Sequence, residues 1–248
     1  MIENTDALIK ALNENRIGDG ESMTLQLIGL AEQSFMDQLT LETATDLIGV
    51  VLLYCEFCSK EKKPWKATVQ MERIEGALRF LADFMSDRDF AAKTLYRIAS
   101  YYAYACFYPE AQGYYELCLD VSPEFDDAED AVYFALINAF RTGLDSMSEA
   151  GMKFERVLGC DRFRAVFTEA KNAFSSEILR DPLEREERFL KIRYELEKSV
   201  DEFLVNSEED LSDPFCIRYW NAKKRLLSER FGLEWKTPAE MNPEIQFC

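Results

Sequence analysis

Residues 88–125 read RDFAAKTLYRIASYYAYACFYPEAQGYYELCLDVSPEF. Leu95, Ile98, Ala99 and Tyr102 recur at steps of three and four, the period of one helix face. Tyr108-Pro109 then opens a second helix, because proline is accommodated only in a first turn. Ala111, Tyr115 and Cys118 carry the same period to the end of that helix. The stretch therefore predicts a hairpin of helices at about 88–107 and 109–121. Ala99 and Ala111 are small where the two helices approach, and larger residues fill the space around them.

On the C-terminal side, helices are predicted at about 126–142 and 147–158, with Gly143 and Gly159 at their C-caps. Ser146 to Glu149 has capping-box spacing for the second of these. Helices at about 162–179 and 182–205 follow. The latter starts at Asp181-Pro182-Leu183-Glu184 and carries Phe189, Ile192, Leu196, Val200 and Phe203 on one stripe. Asn206 to Ser212 reads as an acidic linker. A last helix runs from Asp213-Pro214 to Phe231-Gly232, and the tail 233–248 lacks a helical period and reads as irregular.

On the N-terminal side, a helix at about 67–85 is predicted to bury Val69, Ile74, Leu78, Leu81 and Phe84, with a cap at Ser86 to Asp89. The segment 41–59 is apolar nearly all round and should be a central helix, broken by the run Lys60 to Lys66 around Pro64. Weaker helices at 5–15 and 21–35 are separated by Arg16-Ile17-Gly18-Asp19-Gly20, a turn by composition. The fold class is all-α. The chain divides into an N-terminal helical region (1–86), central hairpins (87–160), C-terminal helices (161–232) and the tail (233–248), as one continuous domain.

From Ala92 to Phe125 these residues resemble one tetratricopeptide repeat (TPR). Leu95, Ile98, Ala99 and Tyr102 stand at the signature places of its first helix, Ala111, Tyr115 and Cys118 at those of its second, and Pro123 at its closing proline. Ala135, Ala150, Phe154 and Val157 resemble a divergent second copy. The resemblance implies antiparallel hairpins stacked as a short TPR-like α-solenoid with extra flanking helices. It also implies a partner-binding surface on the first helices, made by Tyr96, Ser100 and Tyr104, then Val132, Leu136 and Phe140. Tyr96 and Ser100 stand where the family places a cation and an asparagine, which argues against its acidic-tail ligands.

The 248 residues hold 46 acidic and 29 basic side chains, a net charge of −17, which repels phosphate backbones. No histidine is present, which removes the commonest general base and metal ligand. The N-terminus has no signal-peptide pattern, and the longest uncharged stretch, Ile98 to Pro109, is too short to span a bilayer. A cytoplasmic location is expected, with seven reduced and mostly buried cysteines. Cys55 and Cys58 have the spacing of a zinc or redox pair, but they lie inside an apolar helix and are read as core. The basic runs Lys60–Lys66 and Lys223-Lys224-Arg225 are read as solvated faces.

Eight aromatics lie between Tyr96 and Tyr115, more than one buried stripe can hold. Either the helices bury more than one face, or part of the set forms an exposed groove. The expectation is a protein-protein interaction scaffold (adaptor, chaperone or regulatory subunit) with no catalytic residues, metal, cofactor, nucleic acid or membrane. An acidic decoy of a basic nucleic-acid-binding protein and a carboxylate-based enzyme are the alternatives.

Overall fold

The computed structural model describes residues 17–84, 88–143, 147–206 and 214–247. The predicted helix at 5–15 lies outside these residues. So, in whole or part, do the caps at Ser86 to Asp89 and Ser146 to Glu149 and the linker 206–212. Among the described residues the chain is all-α with no strand. It forms two compact units, one ending at Lys171 and the other starting at Asn172.

The first unit holds α1 (Ile17–Asp37), α2 (Leu41–Lys60), α3 (Trp65–Glu72), α4 (Glu75–Phe84), α5 (Arg88–Tyr104), α6 (Tyr108–Val121), α7 (Ala128–Thr142), α8 (Met147–Leu158) and most of α9 (Cys160–Ser175). Packing is sequential: α1 on α2, α2 on α3 and α4, then α4 on α5, α5 on α6, α6 on α7 and α7 on α8. As its composition predicts, α2 is buried on nearly every side, from Thr43 and Ala44 to Phe57 and Cys58. Its start is fixed by a reciprocal cap, in which the Thr40 and Thr43 side chains each accept the other's backbone N–H at 3.2 Å.

The hairpin of α5 and α6 matches the predicted pattern. Leu95, Ile98, Ala99, Tyr102, Ala111, Tyr115 and Cys118 are all buried. Its first helix ends earlier than predicted. Cys106 takes a left-handed conformation (φ 61°), and the N–H of Phe107 reaches back to the carbonyl of Tyr102 at 2.8 Å. No glycine marks this stop.

Three further expectations are corrected. The turn at 16–20 is helix from Ile17 onward, because glycines cost little in a first turn whose N–H groups have no helical partner. The segment 67–85 is two helices. At Arg73 and Ile74 the backbone bonds shorten to i−3 steps, Arg73 turns to Glu32 of α1, and Ile74 is fully buried. Val69 is 38 % exposed, since Met71, three residues before Ile74, takes the inward place.

The second unit contains a 3-10 turn (Pro182–Arg185), α10 (Glu187–Asn206), α11 (Phe215–Phe231) and α12 (Pro238–Met241). The predicted helix at 182–205 is therefore interrupted at Glu186, which is extended. Asp181 caps only the short turn, through the N–H of Leu183, and its other oxygen accepts the N–H of Lys236. The tail is not irregular throughout. Leu233 and Trp235 enter the core between α10 and α11, and Thr237 and Glu240 form a capping box for α12. Asn242 then bonds both backbone groups of Leu179.

Candidate functional site

The six residues implied by the TPR resemblance do not form one surface. On α5, Tyr104 is 53 % exposed, and Tyr96 and Ser100 are partly buried. The Tyr96 ring packs edge-on against Tyr115 and Phe125, at 5.5 and 6.2 Å between centroids. Ser100 donates to the Tyr96 carbonyl and shares a hydrogen bond of 3.1 Å with the Tyr115 hydroxyl. On α7, Val132 and Leu136 are at 0 % exposure and offer nothing to a partner, contrary to expectation. Phe140 is partly buried and packs on Phe167 of α9, while Arg162 of α9 pairs with Glu129. The face of α7 that the resemblance assigns to a ligand is thus occupied within the chain.

An open groove of about 610 Å³ lies elsewhere, between α4 and α6. Leu78, itself 4 % exposed, backs it from α4. From α6 it receives Gly113, the Tyr114 ring and Leu117, the last at 38 % exposure. Glu110, Gly113, Tyr114 and Leu117 follow steps of three, one and three, so they fall on one side of α6, beside the core stripe of Ala111, Tyr115 and Cys118. Gly113 is a helical glycine in open space: a Cβ added there would meet nothing within 4 Å. Tyr114 is held by stacking on the buried Tyr102, with centroids 5.3 Å apart.

The rim is acidic. Burial pushes the Tyr114 hydroxyl pKa up, Glu75, Glu110 and Glu72 push it further, and Arg79 opposes them. Arg79 is already paired with Glu75 one turn away on α4. The groove is an apolar trough under a surplus of carboxylate.

The aromatic excess between Tyr96 and Tyr115 therefore has both outcomes. Tyr102 and Tyr115 are core, Tyr104 is exposed, and Tyr114 lines the groove. The signal for the groove lay in that excess, together with a glycine on a helix face that the core stripe leaves unused.

Cys55 and Cys58 lie side by side in the buried part of α2. Burial pushes both thiols up, Cys58 to about 12, against a hydrogen bond from Tyr54 that lowers it. They are protonated and unsuited to redox chemistry near neutral pH. Among the described residues no group of three or more Cys, Asp or Glu is placed to hold a metal. Cys118 and Cys160 are likewise free thiols, and Cys160 is exposed. Cys216 is disulfide-bonded, which corrects the expectation that all the cysteines are reduced.

The second unit buries one charge cluster. Lys223, read from sequence as part of a solvated basic face, is 7 % exposed. Its ammonium donates to Glu197 at 2.8 Å and lies about equally far from the Phe189, Tyr219 and Trp235 rings, at 5.5–5.6 Å. Tyr219 donates to the other oxygen of Glu197. Burial alone would neutralise these groups, but their mutual attraction raises the Lys223 pKa and lowers that of Glu197. Neither serves as a proton acceptor near neutral pH, so the cluster is a structural ion pair.

No helix among the described residues is long and apolar enough to cross a membrane. Comparison of the chain with protein-family models, with curated proteins and with solved structures finds no match.

Proposed function

We propose that the chain is a non-catalytic scaffold of TPR-like hairpins that binds a segment of another protein in the groove between α4 and α6. The observation that carries this reading is the groove itself: a trough of about 610 Å³ with partly exposed Leu117 and Tyr114, floored by a glycine with no side chain. Its volume falls within the range of clefts that hold ligands. A Leu stripe or an aromatic anchor on a partner helix would bury this apolar surface, the usual basis of helix-in-groove recognition. The TPR resemblance is supported by the burial of all seven of its signature apolar and small residues in the α5–α6 hairpin.

The test is affinity capture on the intact chain, run beside Leu117→Glu and Gly113→Trp. A specific partner should be held by the wild type and lost from both variants, whose helical content is unchanged. A partner held equally by all three would place binding elsewhere.

A further inference from the structure

The groove also carries information about what its occupant is made of. Two carboxylates, Glu75 and Glu110, line the groove against one guanidinium, Arg79. The ion pair of Arg79 and Glu75 brings the α4 side near neutrality. Glu110 remains in the lining, and Glu72, outside it, acts on the same Tyr114 hydroxyl. Between these charges the walls are apolar: Leu78, the Tyr114 ring, Leu117 and the bare backbone at Gly113.

A hydrocarbon trough that ends in carboxylates complements a side chain with a hydrocarbon stem and a cationic head. Resting on the scaffold reading above, we propose that the occupant is an amphipathic helix of a basic partner protein. Its leucine stripe lies on Leu78 and Leu117, and a lysine passes over Gly113. The lysine stem packs on the Tyr114 ring while its ammonium sits beside Glu110. An acidic or neutral helix gains the same apolar contact, but the former meets like charge and the latter leaves the carboxylates unmatched. The chain's net charge of −17 steers the same partner at longer range.

Gly113 gives the proposal a clean control. Its backbone is ordinary helix, and a Cβ added there meets nothing within 4 Å. Gly113→Trp is therefore expected to plug the trough and leave the helix intact, which circular dichroism and the melting temperature check independently.

The experiment uses three fluorescein-labelled peptides of equal length with one leucine stripe, whose polar faces are lysine, glutamine or glutamate. Each is titrated against the intact chain, Gly113→Trp and Glu110→Gln by fluorescence anisotropy. The expected result is binding of the lysine peptide, weakened about tenfold or more by Gly113→Trp and severalfold by Glu110→Gln. The glutamine peptide should bind at least about tenfold more weakly than the lysine peptide, and the glutamate peptide not measurably. Equal binding of all three, lost in Gly113→Trp, would overturn the basic partner and leave the groove reading standing. Lysine-peptide binding that Gly113→Trp leaves unchanged would reduce the attraction to surface charge and overturn both. Failure of the lysine peptide to bind the wild type would overturn the proposal outright.

Discussion

Replacing Lys223 by methionine leaves the Glu197 carboxylate buried with the Tyr219 hydroxyl but without the ammonium bonded to it, and Arg193 is left as the cation that favours its charge. We expect a loss of about 3–5 kcal/mol, the usual cost of removing one partner of a buried ion pair. Removing both partners, as Glu197→Leu with Lys223→Met, should restore most of that loss, and urea denaturation of the two variants tests the difference. The same pair sets a pH dependence. Because Glu197 is held below its ordinary value in the fold, its contribution is complete above about pH 4.3, the ordinary value of a free Glu, and is lost as pH falls through the folded value. Lys223 is raised, so its contribution is complete below about pH 10.4 and fades only above it. Trp235 fluorescence should therefore report a stable second unit at pH 5 and loss of its packing in stronger acid, and Glu197→Gln should flatten that profile. In the first unit the sensitive residue is Ala99, fully buried between α5 and α6. Ala99→Leu adds volume where none is free and should cost about 1–3 kcal/mol. An unchanged melting temperature would refute the close approach of these helices.

At the scale of helices, two glycines with equally open surroundings are expected to respond oppositely to one substitution. A Cβ at either Gly113 or Gly232 would meet no neighbouring atom within 4 Å, but Gly232 sits at φ 64° and ends α11. Gly232→Ala should destabilise by about 1–2 kcal/mol, because a Cβ crowds the carbonyl in that conformation. Gly113→Ala lies mid-helix and should stabilise by about 0.5–1 kcal/mol. Thermal melts of the two variants would show shifts of opposite sign. Most helices were legible because their apolar residues keep the 3.6 period and their ends carry Pro or Gly, as at Pro109, Gly143 and Gly232. The irregularities were not. Arg73 and Ile74 interrupt a segment that has no Pro and whose one glycine, Gly76, lies past the break inside α4, and Cys106 takes a left-handed stop that glycine usually fills. The capping box at Thr237 to Glu240 stands in the sequence, but the tail around it lacks a period and gives no other sign of a helix.

For the whole molecule, the charge of −17 is a solution property as much as a binding one. Raising ionic strength from about 0.01 M to about 0.15 M shortens the screening length from about 30 Å to about 8 Å. Self-repulsion should fall and the melting temperature rise, while association with the lysine peptide should slow. Stopped-flow rates that ignore salt would remove the electrostatic part of the docking argument. All-α character and the order of the hairpins were legible at this scale, because each hairpin is a local event. Which faces stay open was not, because it depends on helices far along the chain. Val132 and Leu136 are fully buried, and α9 meets the same helix at Phe140 and Glu129. Lys223 likewise reads as part of a basic surface until Phe189 and Trp235, from before α11 and after it, close around its ammonium.

That enclosure has a magnetic consequence. The Lys223 ammonium faces three aromatic rings at 5.5–5.6 Å, and protons above a ring face are shielded by its circulating electrons. The ε-methylene signals of Lys223 should therefore stand upfield of those of the other lysines, and return to their company when the second unit unfolds. A single carbon-proton correlation spectrum would then read the state of that unit with no label attached.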